Sequence, residues 1–335
     1  MVEAYLYLVP APTPDAAFQT PQATDAFTCD NYAIGLGEGS LVMGTVSSIS
    51  GGRATAAVDS AGAQLMSLTL DGGEYLWQRD ERWWPRCAPV LFPIVGNIRN
   101  DRATSAQGDI AFGRHGLARN YDFALVEQKD DSLTYELNSS EDTRAKFPYD
   151  FCLRMTYRIV DDALEQEFYV ENTGDVTLPF VVGGHPAFNV PAPGDTADFS
   201  EYSLKFAEPW SYTSPTISTE TGLLDWGTRF TLLEDSDTLP LTHELFDVDT
   251  LTFEDVPGRT VTLVGPAGHG MRVDFDGFDY LGVWSAAGGA PFVALEPWCG
   301  TATRTDEDDV FEHKQGMIFL EPGESTTRTF VMRPF

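Results

Sequence analysis

Basic residues are scarce in this chain. Its 335 residues include 21 lysines and arginines against 51 aspartates and glutamates, a formal net charge of −30. A nucleic-acid partner needs a cationic surface to neutralise phosphates, so none is expected. Cysteine is also scarce. Cys29, Cys87, Cys152 and Cys299 lie far apart and form no C-x-x-C pair, which argues against a structural zinc site. Nothing in their spacing demands a disulfide. No apolar run approaches the length of a membrane span, so no membrane partner is expected. The first residues lack the basic stretch of a secretory leader. The expectation is a cytoplasmic protein with reduced thiols. The chain also lacks a long helical stripe, an internal repeat and a glycine-rich phosphate loop.

Glycine, proline and short alternating runs are plentiful. Thirty Gly and 21 Pro, with 42% hydrophobic residues, favour an all-β chain with a large core. Residues 1–50 are rich in Ala, Thr, Pro, Gly and Ser and read as an extension, with a strand expected around 41–46. Residues 51–335 read as one domain, because no linker divides them. Strands are expected at 122–127, 132–137, 151–160, 163–171, 178–182 and 202–206. Others follow at 250–254, 259–264, 270–275, 280–284, 292–295, 316–319 and 325–332. In the first long hairpin Leu153, Met155, Tyr157 and Ile159 alternate with Arg154, Thr156 and Arg158, so one face is buried and the other wet. Short helical turns are expected at 219–224 and 306–315. Many strands without intervening helices imply a large antiparallel β-sandwich.

Three groups stand out chemically. His185 sits between Gly184 and Pro186 after an apolar run, so the backbone holds the imidazole in place. His115 has a similar frame in Phe-Gly-Arg-His-Gly-Leu-Ala-Arg at 112–119. Glu296 follows Phe-Val-Ala-Leu and precedes Pro-Trp. Two held histidines and one held carboxylate suggest acid–base chemistry. Arg82, Arg86, Arg99, Arg102, Arg114 and Arg119 make a local cationic island around His115. Such an island either holds an anionic substrate group or pairs with structural carboxylates. The overall acidity favours mostly salt bridges. His243, His269 and His313 have no such framing and read as structural. Trp77, Trp83, Trp84, Phe188, Trp284 and Trp298 lie in or beside these motifs and offer flat apolar surface.

At these motifs the chain resembles the aldose 1-epimerase (galactose mutarotase) family, in its shorter bacterial branch. The resemblance runs from about residue 55 to 335. It rests on Gly-Ala-Gln-Leu-Met-Ser-Leu at 62–68, Glu-Tyr-Leu-Trp-Gln at 74–78 and Ala-Pro-Val-Leu-Phe-Pro-Ile-Val-Gly-Asn at 88–97. Arg-His-Gly-Leu-Ala-Arg at 114–119, Gly-Gly-His-Pro-Ala-Phe-Asn at 183–189 and Leu-Glu-Pro-Trp at 295–298 complete it. The resemblance implies a β-supersandwich that interconverts the α and β anomers of aldoses without metal or organic cofactor. It implies His185 as general acid, Glu296 as general base and His115 as a sugar-binding group near the ring oxygen. Asp249 resembles the aspartate that grips sugar hydroxyls, with Asp247 as the alternative. Where relatives often carry a sugar-binding arginine this chain has Asn97. Arg99, two residues on, would share its face in a strand and is expected to reach the same pocket. Trp298 is the expected pocket wall.

The expected chemistry is proton removal from the anomeric hydroxyl by Glu296 and proton delivery to the ring oxygen by His185. Surrounding carboxylates are expected to raise the His185 pKa and keep it charged. The preferred substrate is a free hexose. A hexose-phosphate mutarotase is the second enzyme reading, and a non-catalytic sugar-binding protein of the same fold is the third. A glycosidase is disfavoured, since it would want two flanking carboxylates where this chain has one.

Overall fold

A computed structural model describes residues 33–34 and 42–335. Most of the expected extension, Cys29 included, lies outside the described residues. Within it, Ala33–Ile34 pairs with Val42–Met43. Val46–Gly51 pairs with Ala54–Asp59, so a four-stranded sheet begins slightly before residue 51.

The described strands are joined into antiparallel ladders. The largest sheet has nine strands. In spatial order they are Ala124–Gln128, Ser132–Asn138, Phe151–Val160, Ala163–Asn172, Ser325–Pro334, Gly270–Asp274, Thr260–Val264, Ser203–Ile217 and Leu224–Pro240. Its regular part follows from alternation. Leu153, Met155 and Tyr157 are fully buried, while Arg154 is exposed. Phe151–Val160 and Ala163–Asn172 pair without a register shift along their whole length. Exposed ion pairs such as Arg154–Glu136 and Arg158–Glu165 occupy the wet face.

A second sheet carries the short strands that matter for chemistry. Its order is Leu251–Glu254, Tyr280–Trp284, Phe292–Trp298, Gly183–Gly184 and Val90–Leu91, with Ala187–Asn189 also paired to Phe292–Trp298. All seven residues of Phe292–Trp298 are buried. The two sheets meet closely at Gly184. A Cβ there would lie 2.5 Å from the ring of Phe330, which belongs to the nine-stranded sheet. Behind that contact the rings of Phe168, Phe278 and Phe330 pack with centroids 5.8–6.1 Å apart. Such aromatic pairs add about 0.5–1.5 kcal/mol each beyond their buried area.

The long arm formed by Ser203–Ile217 and Leu224–Pro240 differs from the sequence reading, which placed a strand only at 202–206. Four register irregularities between residues 205 and 216 interrupt its pairing. Each one resets the side-chain alternation, so no period of two survives in the sequence. The expected helical turn at 219–224 is instead the turn at the tip of this arm. The turn expected at 306–315 is present as the 3-10 segment Phe311–His313. Among the described residues no helix is long and apolar enough to cross a membrane.

Candidate active site

The central strand Phe292–Trp298 places Glu296 and Trp298 two residues apart, on one face. Gly282 lies opposite Glu296, and a Cβ there would meet the Trp298 indole at 2.2 Å. The absence of a side chain at residue 282 therefore lets the indole lie flat across the neighbouring strand. On the other side of the central strand the chain runs through Gly183–Gly184 and then presents His185. The carbonyl of Pro186 accepts from the Leu295 amide at 3.0 Å, which ties this turn to the strand carrying Glu296. The result is direct contact, with His185 Nε2 3.3 Å from Glu296 Oε2.

His115 arrives from a loop. Its backbone is left-handed, with φ of 66°, a conformation that few non-glycine residues adopt. Two hydrogen bonds hold it. The His115 amide donates to the Gly96 carbonyl at 2.7 Å, and the Gly96 amide donates to His115 Nδ1 at 3.1 Å. An occupied Nδ1 acceptor puts the proton of the neutral ring on Nε2. The rings of His115 and His185 stand edge to face, 5.4 Å apart. Trp84 stacks on His185 at 4.7 Å, and Trp284 meets the same ring edge-on at 5.7 Å.

These groups line one cavity of about 260 Å³. That is near the lower end of ligand pockets, roughly 300–1,000 Å³, and suits a single small ring. Its rim is polar. Asn97 Oδ1 accepts from Arg114 Nε at 2.9 Å, while Asn97 Nδ2 donates to the Thr221 carbonyl at the tip of the long arm at 3.1 Å. Asp249 lies 3.8 Å from Arg114 Nη1 and accepts from the Thr250 hydroxyl at 2.8 Å. Of the two candidate aspartates, Asp249 lines the cavity and Asp247 does not.

Burial sets the electrostatics. Glu296 is 1% exposed, and no donor lies within ordinary hydrogen-bond geometry of either carboxylate oxygen, the Trp298 indole making only a looser approach. Desolvation, reinforced by the charge of Asp249, raises its pKa well above the usual carboxylate range. The Trp298 indole and Arg114 oppose that shift only in part. His185 moves the other way from expectation. Burial pushes its pKa down to about 3, and Arg119, Arg114 and Arg86 add to the fall. The expected positive shift assumed neighbouring carboxylates, but burial of the ring sets the opposite sign and the arginines add to it. His115 is likewise held well below 6.5 by burial and then by Arg119. Both shifts favour the neutral forms, imidazole and carboxylic acid, over the ionised pair.

Arg99 does not line the cavity. Residues Arg99–Asp101 form a 3-10 turn rather than a strand, so the two-residue spacing from Asn97 does not carry it to the same face. Its guanidinium donates instead to Asp309 at 3.0 Å and to the carbonyl of Arg304 at 3.1 Å. Asn97, His115, His185, Asp249, Glu296 and Trp298 are brought together around the cavity. Arg114 and Arg119 also line it. Both flank His115 in the same short motif, and that placement was the available signal. The tip of the long arm, with Gly222 and Leu224, lines it too. The sequence reading marked only the start of that arm, as a strand at 202–206, and its tip, as a helical turn at 219–224. Cys87, Cys152 and Cys299 are buried free thiols.

The β-rich fold holds a histidine–carboxylate pair in one cavity, and comparison with known proteins places the chain in a family. Residues 45–333 match the family model for aldose 1-epimerase, and the chain belongs to that family. It is 37% identical over 277 residues to the chromosomal protein LacX of Lactococcus lactis subsp. lactis, covering 80% of this chain and 92% of LacX. Among solved structures it is similar to a galactose mutarotase related enzyme from Lactobacillus acidophilus. The TM-score is 0.81 at 30% identity, covering 87% of this chain and 97% of that one. A galactose mutarotase-like protein from Lactobacillus casei gives a TM-score of 0.79 at 28% identity, covering 87% and 100%.

Proposed function

We propose that this protein is an aldose 1-epimerase, interconverting the α and β anomers of a monosaccharide by acid–base ring opening and closure. The observation that carries this reading is Glu296. It is a carboxyl almost fully removed from water, with the Trp298 indole beside it and His185 Nε2 3.3 Å away, in a ring-sized cavity. Buried polar groups are nearly always satisfied, and one left open at the end of a pocket has a ligand to meet.

The pair needs one internal proton transfer to become active. Passing the proton from Glu296 to His185 Nε2 converts acid and neutral imidazole into carboxylate and imidazolium, with no change in net charge. Sugar hydroxyls donating to the carboxylate favour that ionised form. Glu296 then takes the anomeric proton while His185 protonates the ring oxygen, and the C1–O5 bond breaks. Rotation about C1–C2 turns the aldehyde over. The same two groups, with roles reversed, close the ring from the other face. His115 Nε2–H serves as a neutral donor to the sugar, and Trp84, Trp284 and Trp298 give its C–H faces apolar walls. General acid–base help of this kind is worth about 10²–10⁴ in rate. The buried free thiols fit a reducing, cytoplasmic setting.

Polarimetry of freshly dissolved α-anomers tests the reading. The expected result is accelerated relaxation of at least one aldose, at a rate proportional to protein concentration. Tight sugar binding with no acceleration for any aldose would instead make this a sugar-binding member of the family.

A further inference from the structure

The tip of the long arm is set apart from its stem. Pro215 lies opposite Arg229 and Thr216 opposite Asp225, so residues 226–228 are left out of the pairing. Gly227 sits in that interruption, where Asp225 Oδ1 accepts from the Gly227 and Thr228 amides at 3.0 and 3.3 Å. A bulge of this kind bends the strand and frees the tip from the register of the stem. Beyond it the tip bonds to itself. The Gly222 amide donates to the Ser218 carbonyl at 2.7 Å, and the Ser218 amide to the Leu223 carbonyl at 3.0 Å. Residues 216–225 thus form a small unit with a bend at its base.

This unit rests on the cavity, which Ile217, Gly222 and Leu224 line. Its seat is the segment that follows the central strand. The Leu224 amide donates to the Thr303 carbonyl at 3.0 Å, and the Leu224 carbonyl accepts from the Thr305 amide at 2.9 Å. The seat is held in turn by Lys314, a buried lysine whose Nζ donates to the Thr303 hydroxyl at 3.0 Å and to the Thr301 carbonyl at 3.3 Å. The second support is Asn97. Its partners fix the orientation of its amide, because Arg114 can only donate and the Thr221 carbonyl can only accept. The fit is close. Gly222 has a left-handed backbone, with φ of 67°, and a Cβ there would lie 2.2 Å from Asn97 Nδ2.

Resting on the mutarotase reading, we propose that the tip of the long arm is a lid over the sugar site, bending at residues 226–228, and that Asn97 is its latch, a positioning residue rather than a sugar ligand. The side-chain amide of Asn97 is already engaged at both ends, by Arg114 and by the tip. Its bond to Thr221 is single, neutral and open to solvent, so it can break and reform. The seat is anchored by a buried lysine, so the tip is the part free to move. Trp226, at the bend, packs against the cluster that contains Trp298, so the position of the arm also bears on that wall of the cavity. A sugar touching Ile217, Gly222 or Leu224 contacts the closed form alone and therefore shifts the tip toward closure. Closure completes the wall around the sugar and keeps bulk water from that side during ring opening.

Amide hydrogen exchange tests the latch without any sugar. Asn97→Asp keeps an acceptor for Arg114 but cannot donate to the Thr221 carbonyl. It should speed exchange of the Leu224 and Thr305 amides about tenfold, the worth of one neutral hydrogen bond, and leave the 151–172 ladder as it was. Should that variant fail to fold, Gly222→Ala attacks the same contact from the tip and decides in its place, with the same result expected. Unchanged exchange at the two amides, or a rise spread equally over the ladder, would overturn the latch. The second measurement adds glucose or galactose. A saturating sugar should slow exchange of the same two amides in the wild-type protein. In polarimetry Asn97→Asp should raise KM about tenfold, by more than kcat changes. Sugar turned over without slowing that exchange, or a kcat that falls with KM intact, would overturn the lid. If neither sugar is mutarotated, the mutarotase reading fails, while the exchange measurements still decide the lid.

Discussion

The ladder Phe151–Val160/Ala163–Asn172 and the short strands under the cavity are built on opposite plans. The ladder pairs ten residues to ten without a register shift, buries one face and leaves ion pairs on the other. The cavity strands are two to seven residues long, nearly all buried, and broken by glycine and proline. His185 and His115 sit in turns beside them, and Glu296 lies in the middle of the one long member. Regular pairing accumulates stability over many equivalent contacts. Short interrupted strands give up that repetition and place a few side chains exactly where two sheets meet. Stability and chemistry should therefore respond to different substitutions.

The largest expected effect is on the chemical side. Glu296→Gln keeps the shape of the side chain but cannot accept a proton. We expect kcat to fall about 10²–10⁴-fold, with KM and melting temperature little changed. A variant with near-normal kcat by polarimetry would move the base elsewhere. On the ladder side, Phe168→Ala should cost about 3–5 kcal/mol of stability in chemical denaturation while leaving KM for the sugar intact. A loss below about 1 kcal/mol would show that the Phe168, Phe278 and Phe330 cluster is not a main support of the fold.

Gly184→Ala joins the two regions. The added methyl would press on the Phe330 ring at 2.5 Å, and His185 is the next residue. Overpacking of this kind costs about 1–3 kcal/mol, and here activity should fall along with stability. Loss of one without the other would mean that the sheets are less tightly coupled than the contact implies.

The smallest effect is in the pH dependence of stability. The folded pKa of His185 is depressed from 6.5 to about 3, so the unfolded chain binds more protons between those values. Its contribution to stability is present above pH 6.5 and is lost as pH falls toward about 3. His115 has the same sign. Glu296 has the opposite sign, because its raised pKa makes a contribution that is full below 4.5 and lost as pH rises through the folded value. Denaturation midpoints between pH 4 and 6.5 should therefore fall less steeply with acid in His185→Gln than in the wild type. Parallel curves would mean that the imidazole is not held neutral.

How far the sequence could be read follows the same division. The ladder was legible because Leu153, Met155, Tyr157 and Ile159 alternate without interruption. The site was legible where a rigid or flexible neighbour frames a reactive group, as at Gly184-His185-Pro186 and Glu296-Pro297. It was not legible where position depends on local backbone geometry. Arg99 missed the cavity because its segment turns instead of extending. The long arm was hidden because its irregular pairing erased the alternation. The sign of the His185 shift was hidden because the burial that sets it, like the approach of Arg119, Arg114 and Arg86, arises only through the fold.

The central claim is that His185 and Glu296 act as one unit sharing a proton. A double-mutant cycle on kcat/KM, using Glu296→Gln, His185→Asn and the combined variant in one polarimetric assay, tests it most directly. Groups that work only together lose their joint contribution when either is removed. The account predicts that the combined variant is no slower than the slower single variant, within a few-fold. Losses that multiply, so that the double variant falls by the product of the two single effects, would contradict it.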